Sequence, residues 1–100
     1  MADVPPFLKP LYENDPELYA LVMNGMALTH GEPSAMPKKY RLLLSMVADG
    51  MMNHPQGVAA MARAAREAGA TEDEIREAMR VIYISGGMVA LVNSLSAYQS

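Results

Sequence analysis

The chain has no cysteine and no tryptophan, a single phenylalanine, and eight Lys and Arg set against eleven Asp and Glu. Without a thiol it can form no disulfide, no thiolate metal site and no cysteine nucleophile, whatever compartment it occupies. No basic cluster exceeds Lys38-Lys39-Tyr40-Arg41, and aromatic residues are not interleaved with it, so no nucleic-acid partner is expected. Long apolar runs are also missing. The most apolar stretch, Val81 to Leu95, falls short of the roughly 20 residues that cross a bilayer and is broken by Gly86, Gly87, Asn93 and Ser94, so no membrane partner is expected either. At the N-terminus, Asp3 and the prolines at 5, 6 and 10 stand where a signal peptide has a basic start and an apolar run. The expectation is a mature start here and a cytoplasmic protein.

What is present is apolar and helical. Hydrophobic residues make up 51% of the 100, ten of them methionine. A domain this small buries a smaller share of its surface than a large one, so a composition this apolar predicts that other copies of the chain cover part of it.

Residues 1–14 read as an arm docking through Phe7, Leu8, Leu11 and Tyr12, with room for one short helical turn, and residues 15–100 as a helical domain. Asp15-Pro16-Glu17 is a helix start: Asp caps free N–H groups, Pro has no N–H to orphan, and Glu suits the positive dipole end. Leu18, Leu21, Val22 and Leu28 follow at helical spacing to a stop near His30-Gly31, where a histidine complements the C-terminal dipole. A second helix is predicted from about Pro37 to Met52, mostly buried, with Tyr40, Leu43, Leu44, Val47 and Met51 on one face and Leu42 and Met46 beside them. The third, rich in alanine, starts at Pro55 after a cap at Asn53 or His54 and closes at Gly69. Thr71-Glu-Asp-Glu74 is a capping box that opens the fourth.

That fourth helix predicts assembly. At about 100° per residue, Ile75, Met79, Ile82, Gly86 and Val89 share one side, while Val81, Ile84, Met88, Leu91 and Leu95 fall opposite. A helix apolar on both sides must be covered on both sides, and a neighbouring subunit is the expected cover. Gly86-Gly87 in its middle predicts a kink or a close backbone contact. No segment alternates with the period of a strand, so the fold class is all-α.

The segment Gly57 to Met79, containing Glu67-Ala-Gly-Ala-Thr71, followed by Gly86-Gly-Met88 and Val92-Asn93, resembles the carboxymuconolactone decarboxylase family, which includes the AhpD-like alkylhydroperoxidases. The similarity covers about the last two-thirds of the chain. It implies a helical unit of four main helices that assembles as a homotrimer or a hexamer. In the peroxidase-like members a Cys-x-x-Cys pair precedes the Glu-Ala-Gly-Ala-Thr segment, with a His four residues on. Those roles fall on His54, Gly57 and Met61. The cysteine-free lactone decarboxylases keep a His at the position of Met61, and the acidic relay residue falls on Arg41 or Leu42. None of these positions matches the family's residue types.

Chemistry must then come from other groups. His54, at a helix N-terminus on the first cysteine's position, can act as base or ligand, or simply cap the helix and face solvent. Tyr83 can point its hydroxyl into a pocket or pack with it bonded. Arg41 can hold a substrate carboxylate, balance Asp49 two turns later, or extend to solvent. Asn93 is expected to bond to backbone across an interface, and Met61 with the other methionines to line a soft pocket or fill the core. His30 and His54 form no metal pattern; no zinc and no cofactor are expected. Two functions fit: a cofactor-free lyase or isomerase acting on a small organic acid or lactone, with His54 and Tyr83 catalytic and Arg41, Met61 and Asn93 around the substrate; or a non-catalytic oligomeric ligand-binding or assembly protein. Neither is a thiol peroxidase. Purified protein supplied with an organic hydroperoxide and a dithiol reductant is expected to show no turnover above the uncatalysed rate, and peroxide consumption proportional to protein concentration would contradict this.

Overall fold

A computed structural model describes residues 3–99 of the chain as helices joined by short connections. In order these are the 3-10 turn η1 (Pro6–Leu8), α1 (Lys9–Asn14), α2 (Pro16–His30), α3 (Lys38–Met51), α4 (Pro55–Glu67), α5 (Glu72–Ser94) and the 3-10 turn η2 (Leu95–Gln99). No strand occurs among the described residues. The four predicted helices correspond to α2–α5, and the turn allowed in the arm is η1 with α1.

Contacts divide the chain into two compact units, one ending at Pro33 and the other beginning at Ser34. The break between these units lies after α2, and the boundary read from sequence at residue 14 falls inside the first of them. In the first unit Asp15 caps α2, accepting from the Leu18 N–H at 3.0 Å. Tyr12 and Tyr19 meet edge to face with ring centroids 5.1 Å apart, which joins α1 to α2. No residue of either helix is fully buried.

The second unit holds the core. α3 packs against both α4 and α5, and η2 packs on α4. Met46, Val58, Ala62, Ala65, Ile75 and Ile82 are completely buried between them. Small residues set the spacing: a Cβ on Gly50 would stand 2.7 Å from Ser94 Oγ and 2.8 Å from Ile82 Cδ1, so α3 and α5 approach as closely as a glycine allows. The buried face of α3 is Leu42, Leu43, Met46 and Gly50, while Tyr40, Leu44 and Met51 are exposed. The expected face was therefore displaced, because counting apolar residues gave Leu44 and Met51 a weight that the packing partner gives to Gly50. At the far end η2 is pinned to α4, with Ser96 Oγ donating to Pro55 O at 2.8 Å and Arg66 Nη1 to Ala97 O at 2.9 Å.

α5 begins at the predicted capping box. The Glu74 N–H donates to Thr71 Oγ1 at 3.1 Å and the Thr71 N–H to Glu74 Oε1 at 2.9 Å. This bond from Thr71, helped by Lys39 at 3.1 Å, holds the Glu74 carboxyl below the usual carboxylate range. Further along, Gly87 adopts φ 83° and ψ −170°, a conformation that is essentially glycine's alone, so the helix kinks where the glycine pair predicted it. Gly86 adds the close contact, since a Cβ there would lie 2.9 Å from Met51 Sδ. The kink also resets the helix register. Before it Ile75, Ala78, Met79 and Ile82 are buried; after it the buried residues are Ala90 and Ser94, not the expected Val89, which is exposed.

Together α5 and η2 form a kinked helical span from Glu72 to Gln99 that by length and composition could cross a membrane, with a mean hydropathy of 1.4 in its most apolar 18-residue window and 22% of that window buried. This span is longer than the Val81–Leu95 run considered from sequence because helix continues on both sides of it. Its apolar residues outside the core include Val81, Ile84, Met88, Val89 and Val92.

Nothing lies within 4 Å of a Cβ placed on Gly87, so replacing it by alanine isolates the backbone cost. Gly87→Ala is expected to lower unfolding free energy by about 1–3 kcal/mol, read as a reduced urea midpoint with an unchanged slope.

Candidate functional site

The last turn of α3 closes as a Schellman motif, and this places the side chains of the candidate site. Asn53 sits in the left-handed region at φ 56°, its N–H donates to Gly50 O at 3.1 Å, and the His54 N–H reaches back to Asp49 O at 3.0 Å. In this motif the residue after the left-handed position meets the residue five before it, and the two commonly make an apolar contact. The end of α4 shows that form: Gly69 at φ 104°, the Ala70 N–H on Ala65 O at 2.9 Å, and both alanines buried. At the end of α3 the same two positions hold Asp49 and His54.

The side chains consequently face each other, with His54 Nδ1 3.6 Å from Asp49 Oδ1. His54 occupies the N-cap position of α4, as expected, but its side chain makes no cap bond there. It turns to the carboxylate instead. Asp49 is the less exposed partner, at 28% of its side chain against 58% for His54. A carboxylate beside Nδ1 favours the tautomer with the proton on that nitrogen, which leaves the Nε2 lone pair available to solvent or substrate. Such an imidazole can accept a proton at Nε2 and, once charged, return it with Asp49 balancing the charge. Gly57 lies beneath the pair, where a Cβ would fall 2.5 Å from His54 Nδ1 and 2.6 Å from Asp49 Oδ2.

Asn93 joins this corner from α5, donating to Asn53 Oδ1 at 3.3 Å within the chain. Met61 is half-buried and packs against the core. Arg41 lies elsewhere: its Nε donates to Met36 O at 3.0 Å at the start of α3, ten residues and about 15 Å of helical rise before the helix ends at Met51. Asp49, considered as its partner, belongs to His54. Leu42 is in the core. Tyr83 is half exposed and lines an open groove of about 560 Å³ with Arg76, Arg80, Ile84, Leu91 and Tyr98. A second groove of about 470 Å³, between α3 and α5, is lined by Tyr40, Leu44, Val47, Glu77 and Val81. Neither groove includes Arg41, His54, Met61 or Asn93. Within one chain, then, His54 and Asn93 share a corner with Asp49, and Arg41 and Tyr83 stand apart from it. Among the described residues no three His, Asp or Glu side chains are grouped as a metal ion would need.

Asp49 is the site residue that motif counting missed. Its signal was local: Asn-His-Pro directly after an apolar helix marks a left-handed helix end, and five residues before the histidine stands an aspartate.

The described residues form an all-helical scaffold whose alanine-rich helix opens at the Asp49–His54 corner. The chain belongs to the carboxymuconolactone decarboxylase family, whose profile matches residues 16–100. Among solved structures it is similar to a protein of Burkholderia xenovorans LB400 assigned as a carboxymuconolactone decarboxylase, at 27% identity and a TM-score of 0.87, over 96% of this chain and 75% of that one. No curated protein matches the chain.

Proposed function

We propose that this family member is a cofactor-free acid–base lyase or isomerase acting on a small lactone or organic acid, with His54 as the proton-transferring residue and Asp49 orienting it. The observation that carries this reading is the Asp49–His54 pair, held by the helix end with the imidazole open to solvent. The family and the name of the Burkholderia protein support the substrate class. Loss of carbon dioxide from a lactone carboxylate leaves an electron pair, which an adjacent unsaturated carbonyl can take up. Protonated His54 would then deliver its proton to carbon and recover one from solvent. In an isomerisation the same nitrogen would remove a proton beside the carbonyl and return it at another carbon. Tyr83 and Arg41, distant from His54 in a single chain, enter this reading only as residues that another subunit brings to the corner.

Assembly is the second half of the proposal. Ile84 is 80% exposed on the single chain, with Val81, Met88 and Val92 also open on α5, more apolar helix surface than a lone copy can shield. We propose that α5 is covered by further copies in a homo-oligomer, trimer or hexamer, and that this accounts for the hydropathy of the α5–η2 span without a bilayer.

Both halves can be tested. With carboxymuconolactone and related lactone acids as substrates, wild-type protein is expected to turn over at least one of them, and His54→Gln to lose about 10²–10⁴ of that rate. Full activity in His54→Gln, or no turnover by wild type across the set, would leave only the scaffold. In sedimentation at micromolar concentration the wild type is expected to run as an oligomer and Ile84→Glu as a smaller species, and a monomeric wild type would end the assembly reading.

A further inference from the structure

We infer that Gly57 is a positioning residue for the Asp49–His54 pair, present because any side chain at this position would separate the two. This inference deepens the acid–base reading and rests on the pairing described there. Backbone conformation does not explain the glycine. Residue 57 lies in the first turn of α4, and only Gly69 and Gly87 among the glycines have positive φ. An alanine would fit the helix and is the better helix former. What a Cβ meets is the pair itself, from both sides: His54 Nδ1 at 2.5 Å, Asp49 Oδ2 at 2.6 Å and Asp49 Cγ at 2.7 Å.

These atoms belong to side chains, not backbone, and both side chains can turn about χ1. A methyl group at 57 would therefore be accommodated by displacing imidazole and carboxylate, while the helix stays. The Schellman turn brings residues 49 and 54 together, and the bare Cα at 57 supplies the volume in which their polar groups can face each other. A paired Asp49–His54 and a side chain at 57 thus exclude one another, and the pattern Asp-x4-His-x2-Gly is one functional unit.

The test reads the imidazole directly in the full-length chain. At a pH where the ring is neutral, long-range 1H–15N spectra of labelled wild type are expected to show the His54 proton on Nδ1. Gly57→Ala and Asp49→Asn are each expected to move it towards Nε2, with a melting temperature for Gly57→Ala no lower than wild type. Retention of the Nδ1–H signature in Gly57→Ala would overturn the inference. A second measurement needs no spectrum: alanine at 57 should raise the melting temperature more in an Asp49→Ala/His54→Ala background than in wild type, and equal effects in both would also overturn it. The outcomes are separable from the catalytic reading. A tautomer shift in a protein that turns over no lactone acid would uphold the role of Gly57 and remove the enzyme. An unchanged tautomer in a protein whose His54→Gln variant is inactive would do the reverse.

Discussion

The hydrogen bond from the His54 N–H to Asp49 O closes α3, and most of the second unit depends on it. It satisfies a carbonyl that the helix end would otherwise orphan, and it fixes the reversal that lets α4 start at Pro55 and pack on α3. Asn53 accepts the left-handed conformation this requires, at lower cost than a branched residue would. Because the turn defines where α4 begins, it also defines where Val58, Ala62 and Ala65 enter the core. Fold and candidate site therefore share one backbone contact.

Beyond the corner, the unit is held by thin contacts made close. Glycine and alanine at 50, 62, 65, 78 and 90 let three helices approach, and Met46 and Ile82 fill the space between them. This trades side-chain volume for backbone proximity, which suits a chain with little aromatic mass. Thin packing leaves much apolar surface over, and that surplus is concentrated on α5. The two open grooves flank this helix, and Val81 lines both.

Much of this was legible in the sequence because local chemistry decided it. Asp15-Pro16, Thr71 to Glu74, Gly69 and the Gly86-Gly87 step all act where they were predicted to, since caps and turns need only a few neighbouring residues. Helix faces were less legible. Leu44 was assigned inside and lies 59% exposed, because hydrophobicity is a property of the residue and burial a property of what packs beside it. The site was half legible: His54 stood out by its position, but Asp49 entered only as one of three options for Arg41, and its approach to His54 runs through a turn that periodicity does not describe. The separation of Arg41 and Tyr83 from His54 was hidden for the same reason, since it depends on how the helices are arranged in space.

Gly87 carries one more consequence. The buried positions before and after it follow the same helical spacing but are out of phase by about one residue. A single glycine thus acts as a phase shifter, rotating the inward face of the chain without the length of a loop. On a continuous wheel the two halves superimpose and α5 looks apolar all round; with the frame restarted at Gly87, each half has its own inner face. The two halves of the longest helix are for this reason separate units of sequence, with the inward positions of each counted from its own start.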